Sequence, residues 1–213
     1  MSHLPVAKEG LVFIVPALAI SLLLFGFGHP VPGVLVLLPC LFFVYFFRNP
    51  VRTSPDRHGE LISPADGKVM AVEDIHEDEF LHDTVRRICI FMGLGDVHVN
   101  RAPTDGNVTR VEHREGKYRL AFKLEIDKEN ERNYIMYGEG HDRFLLVQIA
   151  GFLARRIICY VKEQDILRKG HPVGLIAFGS RVDVYMPRTY EPMVAVGQRV
   201  KSGLTPLARK EVP

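Results

Sequence analysis

Leu11 to Phe27 and Val34 to Phe47 are two uncharged, mostly aliphatic runs, separated only by the turn signal Gly28-His29-Pro30-Val31-Pro32-Gly33. Hydrophobic residues make up 47% of the 213-residue chain although 24% is charged, and the apolar surplus is concentrated in these first fifty residues. Each arm is near the lower length limit for a bilayer span and is interrupted by a proline, Pro16 or Pro39. The pair therefore reads as two short spans or as a re-entrant hairpin in one leaflet. No small-residue cleavage site separates the arms, which argues against a secretory signal peptide. Lys8 precedes the hairpin and Arg48, Arg52 and Arg57 follow it, while the turn carries no Lys or Arg. By the positive-inside rule both ends, and the rest of the chain, face the cytoplasm.

The organisation expected is a membrane hairpin over 1–48 with helices at about 11–27 and 34–47, a polar, proline-rich linker over 49–60, and a β-rich domain over 61–213. Strands are expected at Lys68–Val72, Val85–Met92, Val108–His113, Tyr134–Tyr137, Phe144–Ala150, Arg156–Val161, Val173–Phe178 and Val182–Met186. Val161–Gly170 can be laid over Val194–Gly203 with several apolar residues and the final glycine in register. Two such units suggest a pseudo-symmetric sandwich of hairpins, like that of barrel-sandwich-hybrid folds. A net charge of +2 leaves no nucleic-acid footprint. Cys40, Cys89 and Cys159 lie in apolar runs without C-x-x-C spacing, and the histidines lack an H-E-x-x-H pattern, so buried thiols and no metal are expected.

Four segments carry the chemistry: Ser63-Pro64-Ala65-Asp66-Gly67-Lys68-Val69, Gly95-Asp96-Val97-His98-Val99-Asn100-Arg101-Ala102-Pro103, Glu129-Asn130-Glu131-Arg132-Asn133, and Phe178-Gly179-Ser180-Arg181-Val182-Asp183. In this order they resemble the short, membrane-associated form of the pyruvoyl-dependent phosphatidylserine decarboxylases, from about Phe47 to the C-terminus. The resemblance implies a proenzyme. The Ser180 hydroxyl would attack the Gly179 carbonyl, and the chain would part into a large piece ending at 179 and a small one starting with a pyruvoyl group at 180. That ketone would form a Schiff base with the serine amine of the lipid, and carbon dioxide would leave with phosphatidylethanolamine as product; neither PLP nor a metal is implied. Its partners would be a phospholipid, the membrane and its own two cleavage products, at the bacterial inner membrane with the catalytic domain in the cytoplasm.

His98 is the best candidate for base or proton donor, since imidazole titrates near neutrality. Asp96 shares its face and could orient it, and the resemblance raises Asp66 to a charge that orients a base during cleavage, though aspartates in such turns usually bond their own backbone. Longer bacterial relatives carry a second histidine where this chain has Arg101, so the activator of Ser180 is either His98 or another histidine, with His113 weaker. Arg101 could hold the lipid phosphate or the substrate carboxylate, with Asn100 beside it as a further binding or orienting group. Glu131, within the charged run Glu125–Arg132, reads as part of a solvated loop. Two other readings compete: a decarboxylase of an ether-lipid phosphoserine, and a non-enzymatic membrane-anchored adaptor or carrier of the hybrid fold.

Overall fold

The structure, a computed structural model, describes residues 5–55, 57–116, 130–140, 142–151, 156–177 and 179–211. It divides into two compact units, Met1–Val51 and Arg52–Pro213.

In the first unit, helices α1 (Leu11–Gly26) and α2 (Pro30–Phe46) pack as a hairpin. α2 starts four residues earlier than the turn signal suggests, because Pro30 sits at its first position, where a fixed φ and a missing N–H cost nothing. Gly33 gives Phe25 room, since a Cβ there would stand 3.2 Å from the ring. Ser21 Oγ donates to the Gly33 carbonyl at 2.9 Å, which satisfies a hydroxyl on an otherwise apolar helix. Outward residues such as Val12, Leu22, Leu35 and Leu41 are exposed. The segment Lys8–Gly26 is long and apolar enough to cross a membrane.

The second unit is mainly β, with fourteen strands among the described residues: β1 (Glu60–Ile62), β2 (Gly67–Glu77), β3 (Asp83–Met92), β4 (Val99–Arg101), β5 (Gly106–Arg114), β6 (Arg132–Glu139), β7 (Asp142–Ala150), β8 (Ile157–Cys159), β9 (Ile166–Leu167), β10 (Pro172–Ile176), β11 (Ser180–Pro187), β12 (Tyr190–Pro192), β13 (Arg199–Val200) and β14 (Pro206–Lys210). All pairings are antiparallel. An eight-stranded sheet runs β13-β2-β3-β11-β7-β6-β5-β9, with two three-stranded sheets, β1-β14-β12 and β4-β10-β8. The expected strands lie within or across these elements, except that Phe178 is outside the described residues.

The sheet is covered on both sides. Ile88, Ile90, Val182, Val184, Leu146 and Ile135 alternate onto one face and form the main core. Leu145, Val147, Ile149 and Tyr134 alternate onto the other, against Phe80 and Leu81. On that second face Arg181 forks onto Asp183, with Nε and Nη2 at 2.8 and 2.6 Å from the two carboxylate oxygens, and both side chains are buried. Burial, reinforced by the Asp183 charge, pushes the neighbouring Cys89 thiol far above its ordinary range.

The order of the long sheet is a palindrome, and its hydrogen bonds match end to end. Gly67 pairs with Val200 and Gly106 with Leu167; each of β2 and β5 then carries a bulge, at Val69/Ala71 and Val108/Arg110. Val69 N–H donates to Gln198 O and Val108 N–H to Asp165 O, both at 2.9 Å. Gly203 (φ +74°) donates to Ser63 O at 2.7 Å as Gly170 (φ +81°) does to Ala102 O at 2.9 Å. The internal similarity therefore extends beyond Val161–Gly170 and Val194–Gly203 to Ser63-Pro64-Ala65-Asp66-Gly67 and Ala102-Pro103-Thr104-Asp105-Gly106. Two like halves meet at the central pair, β7 and β11.

Candidate active site

Ser180 opens β11 and lies between two neighbours, pairing with Met92 of β3 on one side and Ala150 of β7 on the other. Its side chain is fully buried and its Oγ has no hydrogen-bond partner among the described residues. A buried hydroxyl left unpaired is costly, and native structures reserve the arrangement for positions with a task. Gly179 precedes it at φ +62°, a conformation that a side chain resists, and nothing stands within 4 Å of where a Cβ would be. The peptide bond joining them is thus free of side-chain bulk on the glycine side.

The loop after β3 brings the histidine segment to the same strand end. Gly93, next to Met92, donates its N–H to Asp96 Oδ2 at 2.9 Å, and Arg199 pairs with Asp96 Oδ1. His98 immediately precedes β4 and is fully buried, with Nδ1 2.9 Å from the carbonyl oxygen of Asp96. A carbonyl can only accept, so Nδ1 carries the proton and Nε2 presents the basic lone pair. The orienting group is the main chain of Asp96; its carboxylate is spent on Gly93 and Arg199. Val97, His98 and Val99 are all buried, in place of the alternating exposure expected of a strand there.

Asn100 belongs to the same end. Its Nδ2 donates to Met92 Sδ at 3.3 Å, and its Oδ1 accepts from Gln148 Nε2 at 2.8 Å. Asn133 Nδ2 in turn donates to Gln148 Oε1 at 3.1 Å, so a buried chain of amides runs from β4 through β7 to β6. Gly174 on β10 leaves room for it, since a Cβ there would fall 2.7 Å from Gln148 Nε2.

Asp66 is held by a guanidinium and a backbone amide. Arg52 grips both of its oxygens, at 2.5 and 2.9 Å, and Ser202 N–H adds a third bond at 2.8 Å, while among the described residues no imidazole bonds to it. Arg101 lies nearby, buried, with Nη1 donating to Gly170 O at 2.9 Å; burial and the Arg52 charge lower its pKa. Two guanidiniums around one carboxylate leave this cluster net positive. His113 sits half exposed on β5, with Nε2 3.4 Å from Glu131 Oε1.

A family model described as phosphatidylserine decarboxylase matches residues 40–208, which takes in every one of these groups. The chain belongs to the phosphatidylserine decarboxylase family. The phosphatidylserine decarboxylase proenzyme of Carboxydothermus hydrogenoformans is 48% identical over 178 residues, 83% of this chain and 84% of the relative. Those of Syntrophus aciditrophicus (38% identical, 95% and 96% covered) and Cereibacter sphaeroides (42%, 96% and 89%) extend the likeness through the helical hairpin.

Among residues of this phosphatidylserine decarboxylase family member that sequence reasoning set aside, Glu131 is the clearest. Residues 125–129 of its charged run lie outside the described residues, but Glu131 itself is 6% exposed. The alternation Glu131, Asn133, Ile135, Tyr137 would have placed it on the core face of β6. A cavity of 630 Å³, lined in part by Asp105, Asp142 and Tyr190, lies at the opposite end of β7 from Ser180.

Proposed function

We propose that the chain is a pyruvoyl-dependent phosphatidylserine decarboxylase that makes its own cofactor by breaking the backbone between Gly179 and Ser180. The observation that carries this reading is the buried Ser180 hydroxyl, unpartnered among the described residues, beside a left-handed glycine.

Ser180 Oγ adds to the Gly179 carbonyl, the amide nitrogen leaves, and an ester replaces the peptide bond. Loss of the Ser180 α-proton expels the Gly179 carboxylate, and water replaces the freed nitrogen as ammonia, which leaves a ketone at 180. His98 Nε2 supplies the base for the hydroxyl proton and later the acid that protonates the α-carbon of the product. The Asp96 carbonyl fixes its tautomer, at 2.9 Å. Bound to the substrate amine, the pyruvoyl ketone supplies the electron sink for loss of carbon dioxide. The positive Arg52–Arg101–Asp66 cluster favours the phosphate or carboxylate of the head group, and Asn100 holds Met92, and with it the strand beside Ser180.

The helical hairpin holds the enzyme at the bilayer where its substrate resides, so the search runs along a surface. The basic flanks and uncharged turn support an orientation with the catalytic unit at the cytoplasmic face of a bacterial inner membrane.

The test is the denatured mass of the purified protein beside Ser180→Ala. Two chains meeting at 179/180, with the small one lighter by one ammonia than a serine-started peptide and the mutant uncut, support the reading. An uncut wild-type chain sinks it.

A further inference from the structure

Ala150 N–H donates to the Glu131 carbonyl at 2.9 Å, and Ala150 is also the strand partner of Ser180. Glu131, the residue just before β6, therefore continues the row that Ala150, Ser180 and Met92 form across β7, β11 and β3. Directly opposed residues point to the same face of a sheet, as Asn133 and Gln148 do one step along this row by bonding side chain to side chain. The Glu131 carboxylate thus stands on the Ser180 face. The two backbones are two strand spacings apart, roughly 10 Å, with Ala150 on the strand between them.

One half of that carboxylate is anchored. Oε1 accepts the Ile157 N–H at 3.3 Å and faces His113 Nε2 at 3.4 Å. The other half is not: Oε2 is buried and has no hydrogen-bond partner among the described residues. The adjacent Arg132 offers no relief, because it turns to the other face and donates to Tyr134 OH at 3.0 Å and Asn130 O at 3.1 Å. A buried carboxylate oxygen without a donor is strongly unfavourable unless a cation arrives to meet it.

Resting on the function proposed above, we propose that Glu131 is the receptor for the substrate's ammonium group. The serine head group carries one cation, and it must be brought to residue 180. Glu131 Oε2 accepts a hydrogen bond from that ammonium and can take up the proton it sheds to become a nucleophile. Selectivity for an amine-bearing head group would then lie in this one residue, while the Arg52–Arg101 cluster meets the anionic part.

The experiment uses the full-length cut protein in detergent, its ketone reduced with borohydride so that no turnover occurs. Binding of dihexanoyl phosphatidylserine and of its N-acetyl counterpart, which has no ammonium, is measured by calorimetry for wild type and Glu131→Gln. The amide keeps the shape and the bond to Ile157 N–H, and a completely cut mutant chain by mass certifies the fold. The expected result is a loss of about tenfold or more for the amine lipid, as for a charge-assisted hydrogen bond, with the N-acetyl lipid unchanged. Equal losses for both lipids, no loss, or a wild type that binds neither or does not distinguish them overturns the assignment. A mutant that stays uncut while wild type is cut also overturns it and moves Glu131 to the cleavage step. An uncut wild type instead counts against the decarboxylase reading itself.

Discussion

Asp66 and Asp105 accept the same hydrogen bond from matching places in the two halves of the sheet, Asp66 from Ser202 N–H at 2.8 Å and Asp105 from Lys169 N–H at 2.9 Å. Each precedes the glycine that opens an equivalent strand, and each donor precedes a left-handed glycine. The shared bond is a fastening of the repeat. Only Asp66 adds a two-pronged pair with a guanidinium, that of Arg52.

The pair of mutants Asp66→Asn and Asp105→Asn should separate the two contributions. Asp66→Asn keeps an acceptor for Ser202 but strands a nearly buried Arg52, at a cost of about 3 kcal/mol. Asp105→Asn, at an exposed position, should cost about 1 kcal/mol or less. Urea unfolding followed by tyrosine fluorescence measures both.

Gly179 and Gly67 should respond oppositely to alanine. At 179 the new Cβ meets nothing, so the chain folds with a penalty of about 1–2 kcal/mol for the left-handed backbone, and cutting slows as the carbonyl turns away. At 67 the Cβ would fall 2.1 Å from Phe91 O, so β2 cannot seat against β3 and no folded protein is expected. Yield and the mass-resolved cutting time course report the difference.

His98 and Asp96 should differ in what their loss does. His98→Gln removes the base for both steps, so cutting at 179/180 should slow or stop and decarboxylation should fall by at least about 100-fold. Asp96→Asn retains the main-chain carbonyl that holds the imidazole, so activity should stay within about tenfold. Carbon dioxide release from phosphatidylserine micelles measures both, and Asp96→Asn falling as far as His98→Gln would show that the carboxylate itself takes part.

Acid should weaken the edge sheet through Glu60. The hydrogen bond from Arg209 holds the Glu60 carboxyl below its ordinary 4.5, against the opposing effect of burial, with Arg57 assisting. The folded value is the lower one, so this stabilisation is complete above the unfolded value and is lost as pH falls through the folded one. Melting temperatures of wild type and Glu60→Gln should differ most above the unfolded value and converge as pH falls through the folded one.

The long strands were legible because β-branched residues alternate over enough positions to define a period, as in Val182–Met186. Strands of two or three residues such as β9 and β13 have no period to read, and they surface only as the repeated phrase ending in Gly170 and Gly203. Ser180 and His98 could be picked out by type and context. What holds His98 could not, because a backbone carbonyl leaves no mark in a sequence. Glu131 was hidden by the charges before it, and the match of Asp66 to its twin in Ala102-Pro103-Thr104-Asp105-Gly106 shows only once the two halves of the sheet are laid over each other.

β11 is hydrogen-bonded along both flanks, to β3 and to β7, and the proposed break falls at its first residue. The small chain would be the middle plank of a floor already laid, unable to lift out without taking up the boards on either side. Such a molecule carries its history with it: it can be assembled only as one continuous thread, and two halves synthesised apart would find the slot closed. The cut, once made, should therefore be invisible to gel filtration and apparent only on denaturation, and a cell could replace a spent cofactor only by making the whole protein again.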